Sequence, residues 1–156
     1  MPRDRRGPAP GPTNVDLAGL NDSVGFLLKR AQIASSRDTH RIFAEFDITA
    51  VQFSVLTVVG NNPGIAQGDL AAALEVERPR MVPVLEKLEG RGLTIRRQDE
   101  HDGRSRRIHL TDDGRALLQE LQRRFAAQEQ RVAATLGEAE RDRLLEALRT
   151  LINYPC

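Results

Sequence analysis

The sequence predicts a mainly α chain with a small β-hairpin, arranged as a winged helix-turn-helix with N- and C-terminal dimerisation helices. Three observations predict this class. Met81, Leu85 and Leu88 recur at i, i+4 and i+7, one apolar stripe at helical spacing, while Arg78, Arg80 and Lys87 lie off it. Behind that helix and the Gly90-Arg91-Gly92 stop, Leu93 and Ile95 alternate with Thr94 and Arg96, and Ile108 and Leu110 alternate with Arg107 and His109. Such period-two patterning marks two strands. Ahead of it, Ile65 to Val76 reads as a second helix with an apolar face of Leu70, Ala71 and Leu74. Glu75-Val76-Glu77 leaves room only for the turn of a helix-turn-helix.

Each remaining element follows in order. Residues 1–16 read as a flexible arm, whose first thirteen are rich in Pro, Gly and Arg and carry no large apolar side chain except Met1, so nothing there offsets the entropy of ordering them. Arg3, Arg5 and Arg6 make a solvated tail or, as basic arms can, a DNA contact. Residues 17–48 read as a dimerisation helix. Val24, Leu27, Leu28, Ala31 and Ala34 share one side, Ile42, Phe43 and Phe46 resume it, and Asn21 or Asp22 is the expected cap. A helix of about thirty residues is longer than one lobe needs, so part of it is expected to pack on another chain.

Residues 49–111 read as the DNA-binding lobe. Thr49 and Gln52 stand at capping-box spacing, and Val51, Phe53, Leu56 and Val59 supply buried bulk. Gly60 to Gly64 (GNNPG) ends that helix, and Ile65 is expected to add a short third strand. Gln98 to Arg106 forms the polar tip of the hairpin, with Asp102-Gly103 suited to a tight reversal. Residues 112–156 read as two further dimerisation helices. Thr111 caps the first, with Asp112 and Asp113 favouring the helix dipole. Leu117, Leu118, Leu121, Phe125 and Val132 run along it to a break at Leu136-Gly137. Leu144, Leu145, Leu148, Leu151 and Ile152 stripe the second, which Pro155 closes.

Composition narrows the function classes. At 156 residues, 40% hydrophobic and 29% charged, the chain can bury one core. Its net charge is only +1, so nucleic-acid binding must rest on local clustering. Between Glu77 and Arg107 nine basic residues face six acids, an excess of 9 − 6 = +3. A single cysteine, Cys156, excludes an internal disulfide and fits a reducing cytoplasm. The first thirteen residues lack the apolar core of a signal peptide, and no apolar run reaches membrane-spanning length. A soluble, cytoplasmic protein without membrane partners is expected. No phosphate-binding loop, dinucleotide glycine motif, nucleophile elbow or Cys-x-x-Cys appears, so neither an enzyme nor a cofactor is expected. His40, His101 and His109 are scattered without ligand-spaced partners, so no metal site is expected either.

Arg78 and Arg80 stand where the second helix of the motif begins, the end that usually meets base edges. The alternative for both is phosphate anchoring. Val82 and Pro83 suit contact with thymine methyls or simple filling of the groove. The order of elements, with LEKLEGRGLTIRR from Leu85 to Arg97 and DGRSRRIHLTDDG from Asp102 to Gly114, resembles the multiple-antibiotic-resistance regulator (MarR) family of bacterial transcription factors. The likeness runs over about residues 20–153. It implies a homodimer whose N-terminal and C-terminal helices interlock and whose two lobes grip a pseudo-palindromic operator in double-stranded DNA. It also implies repression relieved by a small, often aromatic and anionic effector.

Carried onto this chain, the family pattern assigns DNA binding to Arg78, Pro79, Arg80, Val82, Pro83 and Lys87 on the recognition helix and to Asp102, Arg104 and Arg106 on the wing. Arg104 would enter the minor groove, positioned by Asp102, the alternative being a surface arginine paired with Asp102, and Arg106 would be a phosphate or a packing contact. Two positions depart from the pattern. Ala66 replaces the usual Ser or Thr cap, and Pro83 lies several residues inside the recognition helix. Asn21 to Gln32, NDSVGFLLKRAQ, further resembles a subgroup that answers to hydroxycinnamate-type thioesters. The implied effector is an aromatic acid or its coenzyme A thioester, between the first helix and the lobe. Phe26, Phe43 and Phe53 would form apolar walls, and Arg30, Arg37, His40 and Arg41, with Lys29, a cationic side. The competing reading of these cations is a solvated helix face. The alternative for the whole protein is a winged-helix protein-interaction module without sequence-specific DNA binding.

Overall fold

The computed structural model describes residues 17–98 and 106–154. The described residues divide into two units, one up to Ser36 and one from Arg37 on. In the first, a 3-10 turn over Ala18–Asp22 precedes the start of helix α1, Val24–Ala44. This corrects the expected continuous helix from Leu17 to Phe46. Ser23, not Asn21 or Asp22, supplies the cap: its Oγ accepts from the Phe26 N–H at 3.5 Å, and its carbonyl starts the helical ladder. The other end closes early because Asp47 adopts φ +50°, turning the chain before α2. Val24, Leu27, Leu28 and Ile33 of α1 are exposed, and Phe43 is its one buried residue.

The second unit holds the last turns of α1 and everything after. Helix α2 spans Ala50–Asn61 and opens on the expected capping box: Thr49 Oγ1 accepts from the Gln52 N–H, and Gln52 Oε1 accepts from the Thr49 N–H at 2.9 Å. Strand β1, Ile65–Ala66, pairs antiparallel with β3, Arg106–Leu110, which pairs antiparallel with β2, Thr94–Gln98. The three-stranded sheet has the order β1-β3-β2, so Ile65 does supply the third strand. Helix α3, Gln67–Ala73, is shorter than the segment from Ile65 to Val76 suggested, because Ile65 and Ala66 belong to the sheet and Glu75 reverses the chain at φ +51°. Ala66 gives α3 no side-chain cap, as its methyl dictates. Helix α4, Arg78–Gly90, runs through Pro83 as one thirteen-residue helix.

The lobe's core joins these elements. Val55, Leu56 and Val59 of α2, Leu70 and Ala71 of α3, and Met81, Leu85 and Leu88 of α4 are buried together with Leu93, Ile108 and Leu110 of the wing. Helix α5, Asp112–Leu136, adds Leu118 and Leu121. Its cap is Thr111, whose Oγ1 accepts from the Gly114 N–H at 3.0 Å and donates to the Gly92 carbonyl at 2.6 Å.

One strand faces the other way from its hydrophobic pattern. Thr94 is buried and Ile95 is 42% exposed, whereas alternation from Leu93 put Ile95 inside. Leu93 is not yet in the strand: its N–H finishes α4 by donating to the Leu88 carbonyl at 2.9 Å. β2 then starts at Thr94, opposite Leu110, so pairing with β3 sets which face turns inward.

Gly137, at φ +89°, breaks the chain between α5 and helix α6, Glu138–Ile152. Helix α6 has no buried residue. Leu145 and Leu148 are half-buried, while Leu144, Leu151, Ile152 and Tyr154 are exposed. No described helix is long and apolar enough to cross a membrane.

Candidate functional site

The helix-turn-helix presents α4 outward. Met81, Leu85 and Leu88 anchor its inner stripe, leaving Arg78, Pro79, Arg80, Val82, Pro83 and Lys87 exposed. Pro79 sits in the first turn, where its missing N–H breaks no helical bond. Arg78 lies over α3: a Cβ built on Gly68 would come 3.1 Å from the Arg78 guanidinium, so the bare glycine makes room for it. Arg80 meets Glu77 at 3.5 Å, a pair exposed enough to be weak and exchangeable for phosphate. Arg80 and Lys87, seven residues apart, fall on the same side of the helix. Pro83 and Lys87 border a groove of about 550 Å³ with Val84, Glu86, Thr49 and Gln52, between α4 and the start of α2.

The wing root is held to α4 by an ion pair. Arg96 Nη1 lies 3.3 Å from Glu89 Oε2, with both side chains about three-quarters buried. That pairing fixes where the hairpin leaves the recognition helix. Arg106 is exposed at the start of β3 and pairs across the sheet with Gln98. Asp102 and Arg104, together with His101, lie outside the described residues, as do Cys156 and the three arginines of the arm.

The expected effector residues divide. Phe26 and Arg30 belong to the first unit, where the Arg30 guanidinium stands 5.9 Å from the Phe26 ring centre, a cation–π arrangement. Arg37, His40 and Arg41 belong to the second and are exposed, with Arg41 near Asp38 at 3.9 Å. Phe43 and Phe53 do come together, their ring centres 4.9 Å apart. Phe43 is only 1% exposed, so it is a core residue and not an open wall, which corrects its expected place. Phe53 is half-buried and also meets Phe125 of α5 at 5.5 Å.

Phe125 is absent from the sequence-based site, although its place on the apolar stripe of α5 was the available signal. Nearby, Gln128 is buried and donates from Nε2 to Thr39 Oγ1 at 3.2 Å, joining α5 to α1. No sequence signal links these two residues, which stand 89 positions apart.

An exposed, partly cationic recognition helix on a helix-turn-helix, backed by a hairpin pinned at its root, defines a winged helix-turn-helix DNA-binding regulator. Comparison with known proteins narrows the class. Residues 48–105 match the model of the MarR family. A transcriptional regulatory protein assigned to the hcr operon of Thauera aromatica is 35% identical over 146 residues, covering 90% of this chain and 88% of that protein. The transcriptional repressor CouR, solved bound to a 23-mer DNA duplex, is 37% identical with a TM-score of 0.86, over 90% of this chain and all of that one. CouR solved bound to p-coumaroyl-CoA is 36% identical with a TM-score of 0.83, over 91% and all of the respective chains. This chain belongs to the MarR family and is a transcriptional regulator of that type.

Proposed function

We propose that the protein is a dimeric repressor that holds a pseudo-palindromic operator and is released from it by an anionic aromatic compound or an aromatic acyl-coenzyme A thioester. The observation that carries this reading is the similarity to CouR, which is solved both with a DNA duplex and with p-coumaroyl-CoA. Arg78, Pro79, Arg80, Val82, Pro83 and Lys87 meet the major groove in this reading. Arg104, positioned by Asp102, enters the minor groove, and Arg106 contacts phosphate. The exposed apolar positions Val24, Leu27 and Leu28 of α1 and Leu144 and Leu151 of α6 support a second copy as their partner.

Arg37, His40 and Arg41 supply cations for a carboxylate or for the phosphates of the thioester, and Phe53 an aromatic surface. For release, the effector must bind the DNA-incompetent form more tightly, since equal affinity for both forms shifts nothing.

Sequencing the genomic fragments captured by the purified protein tests the DNA reading and should return a shared palindrome. Operator affinity should fall steeply with salt as arginines displace counterions. Arg104→Ala should weaken operator binding by about 1–3 kcal/mol. Titrating benzoate, p-coumarate and p-coumaroyl-CoA against the preformed complex tests the effector. Absence of a shared palindrome overturns the repressor reading. Failure of all three compounds to release DNA at millimolar concentration overturns the effector class.

A further inference from the structure

The corner where α1 gives way to α2 is tied to two other helices. Asp47 holds φ +50°, and the carbonyls of Phe46 and Asp47 are left outside the helical ladder. Arg91, the residue that ends the recognition helix, takes both. Its Nη2 donates to the Phe46 carbonyl at 2.9 Å, and its Nη1 donates to the Asp47 carbonyl. From the other side, Arg124 of α5 reaches Glu45 at 3.9 Å while its Nε donates to Glu120 at 3.0 Å. A planar guanidinium can span two neighbouring carbonyls, which the single ammonium of a lysine cannot do with the same geometry.

This placement matters because the opposite half of α4 is exposed for DNA. The Glu89–Arg96 pair fixes the wing to the end of α4, and Arg91 fixes that same end to the corner. α5 meets the corner through Arg124. We propose that Arg91 is a positioning residue for operator recognition. It locks the orientation of the recognition helix against the α1–α5 framework, so that the outward side chains of α4 arrive in register with base edges. The inference rests on the repressor reading above, and it assigns Arg91 no contact with DNA.

The test uses the full chain, the operator duplex recovered from the genomic selection and a scrambled duplex of equal length. Arg91→Lys keeps the charge but loses the fork, and Arg91→Met keeps the stem without donors. Both should lower operator affinity about tenfold, the scale expected for losing charge-assisted hydrogen bonds. Affinity for the scrambled duplex and the salt slope should stay as in the parent, because no phosphate contact is removed. The melting temperature of the free protein separates this effect from a loss of fold, and Arg91→Lys, at an exposed position, is the variant expected to fold if Arg91→Met does not.

Parent-like operator binding by Arg91→Lys overturns the proposal. So does an equal loss on both duplexes in Arg91→Met with a salt slope reduced by about one, which would mark Arg91 as a phosphate contact. If the genomic selection yields no operator, the repressor reading itself fails, a result distinct from either outcome.

Discussion

Gly114 shows how one missing side chain sets the approach of two elements. A Cβ at this position would lie 2.0 Å from the Leu93 carbonyl oxygen, the atom that also accepts from the Thr111 N–H at 3.1 Å. The close seat of α5 against the wing root is therefore open only to glycine. Gly114→Ala must push the helix start away from backbone that cannot yield, and should cost on the order of 3 kcal/mol. Urea unfolding of the variant measures it, and a loss below about 0.5 kcal/mol, the scatter of ordinary surface substitutions, contradicts this account. Glu75 is the converse case, a side chain where glycine would be easier. It turns the helix-turn-helix at φ +51°, in the left-handed region that β-carbons disfavour. Glu75→Gly should raise stability by about 0.5–1 kcal/mol, since the relieved backbone strain exceeds the added entropy of the unfolded chain. A lower urea midpoint would show that the glutamate makes a compensating interaction.

At the scale of elements, the termini of the helices carry the specificity of the fold. α2 is apolar along most of its length, so its pattern alone does not locate its start; the reciprocal bonds of Thr49 and Gln52 do. Thr49→Ala should destabilise by about 1 kcal/mol. Because Thr49 and Gln52 share one pair of bonds, the double variant Thr49→Ala with Gln52→Ala should cost less than the two single changes together. Additive losses would mean that each residue acts through separate contacts. On α5, the hydrogen bond from Arg124 holds the Glu120 carboxyl below its ordinary pKa. The depressed value means that the favourable contribution of this cluster is present above the ordinary carboxylate range and is lost as pH falls through the folded-state pKa.

For the whole molecule, the distribution of buried residues separates a finished core from unfinished surfaces. The core residues of the lobe come from α1, α2, α3, α4, α5 and the wing, while α6 buries none of its own. Leu144 and Leu151, seven residues apart on one side of α6, are 45% and 46% exposed. The proposed dimer covers them, so its stability should depend on protein concentration. Leu151→Asp should therefore shift light-scattering mass toward the monomer while leaving the helical circular dichroism signal in place. A variant that stays dimeric at micromolar concentration would remove α6 from the interface.

Local chemistry determined much of this protein from sequence alone. The amphipathic stripe of α4, the capping box at Thr49, the cap at Thr111 and the break at Gly137 all depend on residues within a few positions of each other. So does the exposure of Arg78, Arg80 and Lys87, which follows once Met81, Leu85 and Leu88 are taken inward. Tertiary structure decided what depends on distant partners. Ile95 faces outward and Thr94 inward because β3 sets the register of a strand that begins only after α4 has been capped. Phe43 reads as a wall of an open site but is enclosed by packing with Phe53. The link from Arg91 to Phe46 and Asp47 joins residues 45 and 44 positions apart, beyond the reach of any helical or strand period. Periodicity reports which face of an element is apolar; only the packing of one element on another determines what that face meets.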